Sequence, residues 1–173
     1  QTFLSATGQC THWPVVQSAA PAATADEKSH GFLVSAAAVT FILESRAHAE
    51  ARGARPRGHL LKFASATAHT DRDTATLATR VIAQLPPAPL VVGSMNNTWI
   101  DRVERSILNQ PNPPALLSLY SQIGECFSAL PLASLAAFLL RARGLQAQTA
   151  TILATDYTRT LSAVAAAREE PNG

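Results

Sequence analysis

The stretch from Gly124 to Arg141 is apolar on nearly every side. Read as a helix, it carries Phe127, Leu130, Leu132, Leu135, Phe138, Leu139 and Leu140 around its circumference. In a simple α/β domain, helices lie outside the sheet and keep one polar face. A helix without such a face must be covered by a second layer, from this chain or from another. The run is too short to span a bilayer and contains Pro131, so membrane insertion is not expected.

Composition points the same way. The 173 residues suffice for one domain with a sizeable core. Charged residues make up 15% and hydrophobic residues 47%, whereas an ordinary soluble domain is roughly 25% charged. Too little charge to coat an isolated globule implies surface buried against another chain. The net charge is +2 with no large single-sign block. Arg46, Arg52, Arg55, Arg57 and Lys62 come nearest to a basic patch; they read as a solvated face or as a dock for an acidic partner. A nucleic-acid stripe would need more basic residues or an aromatic platform, so no nucleic-acid partner is expected.

Cys10 and Cys126 make no disulfide framework and imply nothing against a reducing cytoplasm. His12, His30, His48, His59 and His69 are scattered without metal-ligand spacing, so no metal and no cofactor is expected. No basic-then-apolar leader opens the sequence, and a cytoplasmic location is expected.

Residues 1–30 read as an irregular segment with Pro14, Pro21 and a Ser/Ala/Thr-rich stretch. The β-branched and aromatic run Val39-Thr40-Phe41-Ile42 predicts a buried strand over Ala37 to Leu43. Glu44 to Arg52 predicts a short helix stopped by Gly53 and Pro56, and His59 to Thr67 a strand. Asp71 can cap a helix with Leu77, Val81, Ile82 and Leu85 on its apolar face. Leu90 to Val92 and Leu116 to Leu119 predict short strands. Between them Thr98 to Leu108 predicts a helix and Pro111, Pro113 and Pro114 a loop. Thr149 to Ala154 and Thr160 to Ala166 predict a hairpin turning at 156–159. Residues 168–173 read as a solvated tail. No internal repeat is present. Strands alternating with helices and closing on a hairpin predict a three-layer α/β domain, residues 31–167, with a mixed sheet and a buried central helix.

Two stretches carry more than a fold. One is Val91-Val92-Gly93-Ser94-Met95-Asn96-Asn97-Thr98-Trp99-Ile100-Asp101-Arg102-Val103-Glu104; the other is Ser118-Leu119-Tyr120-Ser121-Gln122-Ile123-Gly124-Glu125-Cys126. With Gly31-Phe32, Leu43-Glu44 and Ala51-Arg52-Gly53-Ala54 upstream, the chain resembles the C-terminal half of a β-ketoacyl synthase, a thiolase-fold condensing enzyme. Asp101 and Glu104 match the acidic pair that follows the family's His-Gly-Thr-Gly-Thr motif. Gly93 stands where that histidine belongs. Ser121 and Gly124 match the Lys-Ser-x-x-Gly-His motif, while Tyr120 replaces its lysine and Glu125 its second histidine. Ala36 replaces the glutamate of an upstream Gly-Glu-Gly loop, and of the closing Gly-Gly-Thr only Thr160 survives.

Condensation in that family needs a nucleophilic cysteine and imidazoles that donate hydrogen bonds to the extender thioester. Glycine offers no side chain, and an ionised Glu125 would repel a developing enolate. Cys10 lies too close to Gly31 to be the family nucleophile, and Cys126 reads as a small core residue. The resemblance therefore implies a half-thiolase-like subunit without catalytic residues, most similar to a chain-length factor. Such a subunit pairs with an active ketosynthase in polyketide, polyene or fatty-acid elongation, with an acyl carrier protein delivering the chain. A divergent condensing or acyl-transfer enzyme using Glu125 or Cys126, and a purely scaffolding protein, are the alternatives.

Overall fold

In the computed structural model, residues 32–140 and 147–169 are described. Ser45 caps the first helix, α1 (Arg46–Ala51), by accepting a hydrogen bond from the His48 amide. Gly53, at φ +66°, turns the chain out of it. Strand β1 (Gly58–Thr67) leads to α2 (Asp71–Ile82). The cap of α2 is Thr70, whose hydroxyl accepts from the Asp73 amide, so Asp71 is the first helical residue and not the cap. Leu77, Ala78 and Val81 are its buried stripe. All four residues of β2 (Leu90–Gly93) are buried. Thr98 caps α3 (Trp99–Arg105), which tightens into a 3-10 turn over Ser106–Asn109 where one continuous helix was expected. Then come β3 (Ala115–Ser118), α4 (Tyr120–Ile123), α5 (Ala129–Leu139) and the hairpin β4 (Thr149–Thr155) and β5 (Thr160–Arg168).

The strands form one mixed sheet in the order β1-β5-β4-β2-β3. β2 runs parallel to β3 and β4, and β5 runs antiparallel to β4 and β1. The hairpin turn is tied by Asp156, whose Oδ1 accepts from the Thr158 and Thr160 amides at 2.8 and 2.9 Å. Period-two alternation splits each strand between two cores. Val91, Leu153, Leu161 and Ala163 face α2. Leu90, Val92, Ile152 and Ala166 face Leu135 and Phe138 of α5. The domain is thus the expected three-layer helix–sheet–helix sandwich.

Four further expectations change. Ala37 to Leu43 forms no strand; Ile42 is 86% and Leu43 71% exposed. The central helix begins at Ala129, not Gly124. Before it, Gly124 at φ +73° and Phe127 at φ +53° break the helical path, and Glu125 pairs in a bridge with Val34. Cys126 therefore precedes the helix. Within this chain α5 is not buried all round: Leu130, Leu135 and Phe138 are buried, but Leu132 is 42% exposed. Finally, β5 runs on through Arg168, one residue into the expected tail. That arginine is buried, with its guanidinium 4.4 Å over the Phe138 ring and Nε donating to the Phe138 carbonyl. The irregular segment 1–30 lies outside the described residues.

Candidate functional site

The singled-out stretches meet at the C-terminal ends of β2 and β3. After β2 the loop 94–98 passes through two left-handed residues, Met95 (φ 44°) and Asn97 (φ 62°). Two carboxylates one turn apart on α3 hold it in that shape. The Met95 amide donates to Glu104 Oε2 at 3.0 Å, and the Asn97 amide to Asp101 Oδ1 at 3.1 Å. Thr155 of β4 donates its hydroxyl to Glu104 Oε1 at 2.9 Å, which fastens loop, helix and sheet together.

Glu104 is fully buried and Asp101 nearly so. Burial pushes Glu104 up to about 7, against the hydrogen bonds from Met95, Thr155 and Ser94 and with a smaller push from the neighbouring Asp101 charge. Burial likewise raises Asp101 to about 6, opposed by the Arg105 charge and the Asn97 amide. The Glu104 carboxylate fills the space beside Gly93. A Cβ on Gly93 would lie 2.4 Å from Oε2 and 2.8 Å from Cδ of that buried side chain. Gly93→Ala is therefore expected to lower stability by about 1–3 kcal/mol, measured by urea unfolding at constant m-value.

Glu125 is held from both sides. Its backbone pairs with Leu33 and Ser35, N to Leu33 O at 2.8 Å and O from Ser35 N at 2.9 Å. Its Oε1 accepts from the Phe127 amide at 2.7 Å, and its Oε2 accepts from Asn96 Nδ2 at 2.5 Å. The same Asn96 amide donates to the Tyr157 hydroxyl at 2.9 Å, and Asn96 Oδ1 accepts from Thr98 at 2.7 Å. Every polar atom of the buried Asn96 side chain is thereby engaged. Burial raises both Glu125 and Tyr157 above their ordinary values, against the Asn96 hydrogen bond. Phe32 packs edge-on against Phe127 and tilted against Tyr157, closing the cluster over its apolar side.

Tyr120 sits at the rim, where its hydroxyl accepts from the Leu33 amide at 3.0 Å and burial raises its pKa. Gly124 is needed for its positive φ and for space, since a Cβ there would lie 2.9 Å from Ser35 Cβ and 3.0 Å from the Leu33 carbonyl. Ser121 is exposed and faces away, bonded to Gln122. Cys126 is buried, its thiol directed at the carbonyls of Ile123 and Gly124. Gly93, Asp101, Glu104, Tyr120, Gly124 and Glu125 thus come together, and Ser121 does not. Sequence reasoning missed Asn96, Thr155 and Tyr157. The Asn96-Asn97 pair, a residue type that tolerates left-handed backbone, was the one signal available.

Among the described residues no three His, Cys, Asp or Glu side chains converge as metal ligands, and no helix is long and apolar enough to cross a membrane. The cluster offers carboxylates and two phenols, Tyr120 and Tyr157, each bonded within the protein, and no imidazole.

No protein-family profile and no curated protein sequence matches the chain. Solved structures do. The ishigamide ketosynthase/chain length factor superposes with a TM-score of 0.76 at 15% identity, over 98% of this chain and 50% of that one. A type II polyketide synthase acyl-carrier protein in complex with its ketosynthase, bound to the hexaketide, gives 0.59 at 16% identity over 73% of this chain and 42% of that one. A β-ketoacyl synthase from Burkholderia phymatum STM815 gives 0.57 at 15% identity, over 73% and 41%. The fold is that of a ketosynthase. The chain spans half or less of the length of these ketosynthase-fold structures. Its mixed five-stranded sheet with helices on both faces is one α/β unit of the thiolase-like architecture.

Proposed function

We propose that the chain is a non-catalytic, chain-length-factor-type subunit. It pairs with an active ketosynthase and acts on chains held by an acyl carrier protein. The observation that carries this reading is the Glu104 carboxylate packed against Gly93. At the position that matches the family's first histidine, a carboxylate occupies the space a side chain would need. At the position that matches the second, Glu125 accepts hydrogen bonds from Asn96 and Phe127. Decarboxylation of a malonyl thioester builds negative charge on the thioester oxygen, which calls for donors, not acceptors. The ketosynthase/chain length factor and the carrier–ketosynthase complex among the similar structures support the choice of partners.

The test is decarboxylation of malonyl-carrier protein by the isolated chain. We expect background turnover alone, and product formation once an active ketosynthase partner is added. Turnover above background by the isolated chain would contradict the proposal. Cys126→Ala is expected to leave the activity of the complex unchanged. Its buried thiol makes weak contacts, so the packing loss is about 1 kcal/mol, measured by thermal unfolding.

A further inference from the structure

Loop 94–98 is fastened at its ends and held in the middle by buried acids. The Ser94 carbonyl accepts from the Ser118 hydroxyl at 2.5 Å, and the Thr98 hydroxyl accepts from the Ile100 amide at 3.3 Å. Between these points burial alternates: Ser94, Asn96 and Thr98 are buried, Met95 and Asn97 half-buried. The two half-buried residues are the left-handed ones. Residues other than glycine keep that backbone only where their surroundings enforce it. Here one carboxylate enforces each: Glu104 receives the Met95 amide and Asp101 the Asn97 amide. Asn96, turned inward between them, ties the loop to Glu125 and Tyr157.

From this geometry we propose that loop 94–98 is a latch that opens as pH rises. Ionisation of Glu104 lifts the loop, lets its left-handed residues relax and frees Asn96 from Glu125 and Tyr157. Glu104 is fully enclosed. Among the described residues, the groups that face it are the Met95 and Ser94 amides of the loop, the Thr155 hydroxyl of β4 and the Asp101 carboxyl of its own helix; none is a cation. Asp101 in turn faces Arg105 of α3, the Asn97 amide and Tyr120 of α4. Glu125, at the far end of the Asn96 bond, faces Tyr157 and Tyr120. An ionised Glu104 therefore lacks a counter-charge while the loop is shut and gains water when it opens. The value of about 7 in the shut loop, against an ordinary 4.5, sets the window. Below about pH 4.5 the acid is neutral in both states and the latch stays shut. From there to about 7 each pH unit favours opening about tenfold, and above 7 the gain levels off. The opened loop presents the Asn96 amide and the Glu104 carboxylate to solvent at the C-terminal ends of β2 and β3. What this site offers to its surroundings thus differs on the two sides of neutrality.

Amide exchange of the full chain, resolved by residue with NMR and corrected for the intrinsic rate, tests this between pH 5 and pH 8. We expect protection of the Met95 and Asn97 amides to fall about 50-fold or more across that range. Urea well below the unfolding midpoint should leave their exchange unchanged, as for a local opening. Glu104→Gln should hold their protection nearly constant with pH, and Glu125→Gln should leave the pH dependence in place. Protection that does not change with pH in wild type overturns the latch. So does exchange of Met95 and Asn97 only at the rate and with the urea dependence of Val92 and Ile152 in the sheet, which is global unfolding. A pH dependence that survives Glu104→Gln, or that Glu125→Gln also removes, gives control to another group and overturns it as well. Should Glu104→Gln not fold, the carboxyl carbon shift of Glu104 in wild type decides. Its midpoint must coincide with the pH above which protection stops falling, and a midpoint elsewhere contradicts the proposal.

Discussion

Glu104→Ala is expected to cost about 3–5 kcal/mol of stability, the largest effect of any single side chain in the site. The residue is 0% exposed and bonds the Met95 amide, the Ser94 amide and the Thr155 hydroxyl. Truncation leaves a cavity and strands buried donors, each worth about 1–3 kcal/mol when unpaired. The loop 94–98 should loosen first, because its left-handed residues are held by these carboxylates. The same side chain should give an unusual pH profile. Its folded value of about 7 lies above the unfolded 4.5. The folded state therefore binds the proton more tightly. The stabilising contribution is full below about pH 4.5, declines as pH rises and is gone above about 7. Asp101, raised to about 6, adds in the same direction. Unfolding free energy is expected to fall on the order of 3 kcal/mol from pH 5 to pH 8. Glu104→Gln, neutral at every pH, should flatten most of that slope. A profile that rises toward pH 8, or that Glu104→Gln leaves intact, would contradict the assignment.

The second large effect concerns the α5 face. Leu132 and Phe63, 42% and 65% exposed, flank an apolar groove. Covering each such side chain is worth about 1.5–3 kcal/mol, so a partner seated there gains much of its affinity from a small area. Leu132→Asp with Phe63→Glu would place two charges in that contact. We expect the pair to weaken capture of the ketosynthase by about 1,000-fold or more, a loss of at least ~4 kcal/mol. The isolated protein should become more soluble, since two charges replace exposed apolar surface of the kind that favours self-association. Capture unaffected by the double substitution would move the interface elsewhere.

How much of this was legible in the sequence depends on where each residue finds its partners. The core strands were, because Leu90-Val91-Val92 and Thr149 to Ala154 are apolar runs that only a buried sheet accommodates. The start of α5 was not. Gly124 to Ser128 is apolar enough for helix, but the bonds that join Glu125 to Leu33, Ser35 and Phe127 fix a different path, and none is local in sequence except the last. Val39 to Ile42 has the propensity of a strand, but no strand of the described residues pairs with it. Asp101 and Glu104 were found through resemblance, though Asp101, in the first turn of α3, is equally at home near the dipole's positive end. Asn96 and Tyr157 escaped notice because 61 residues separate two groups that meet at 2.9 Å. The expected emptiness of the Gly93 position acquired a physical cause only with the Glu104 carboxylate in view.

The account turns on pairing, and native mass spectrometry of the chain co-expressed with an active ketosynthase of this fold tests it most directly. We predict a one-to-one heterodimer that survives dilution to micromolar concentration, burying well over the ~1,600 Å² of a standard interface. A well-folded, soluble monomer at that concentration, leaving the ketosynthase unbound, would contradict it.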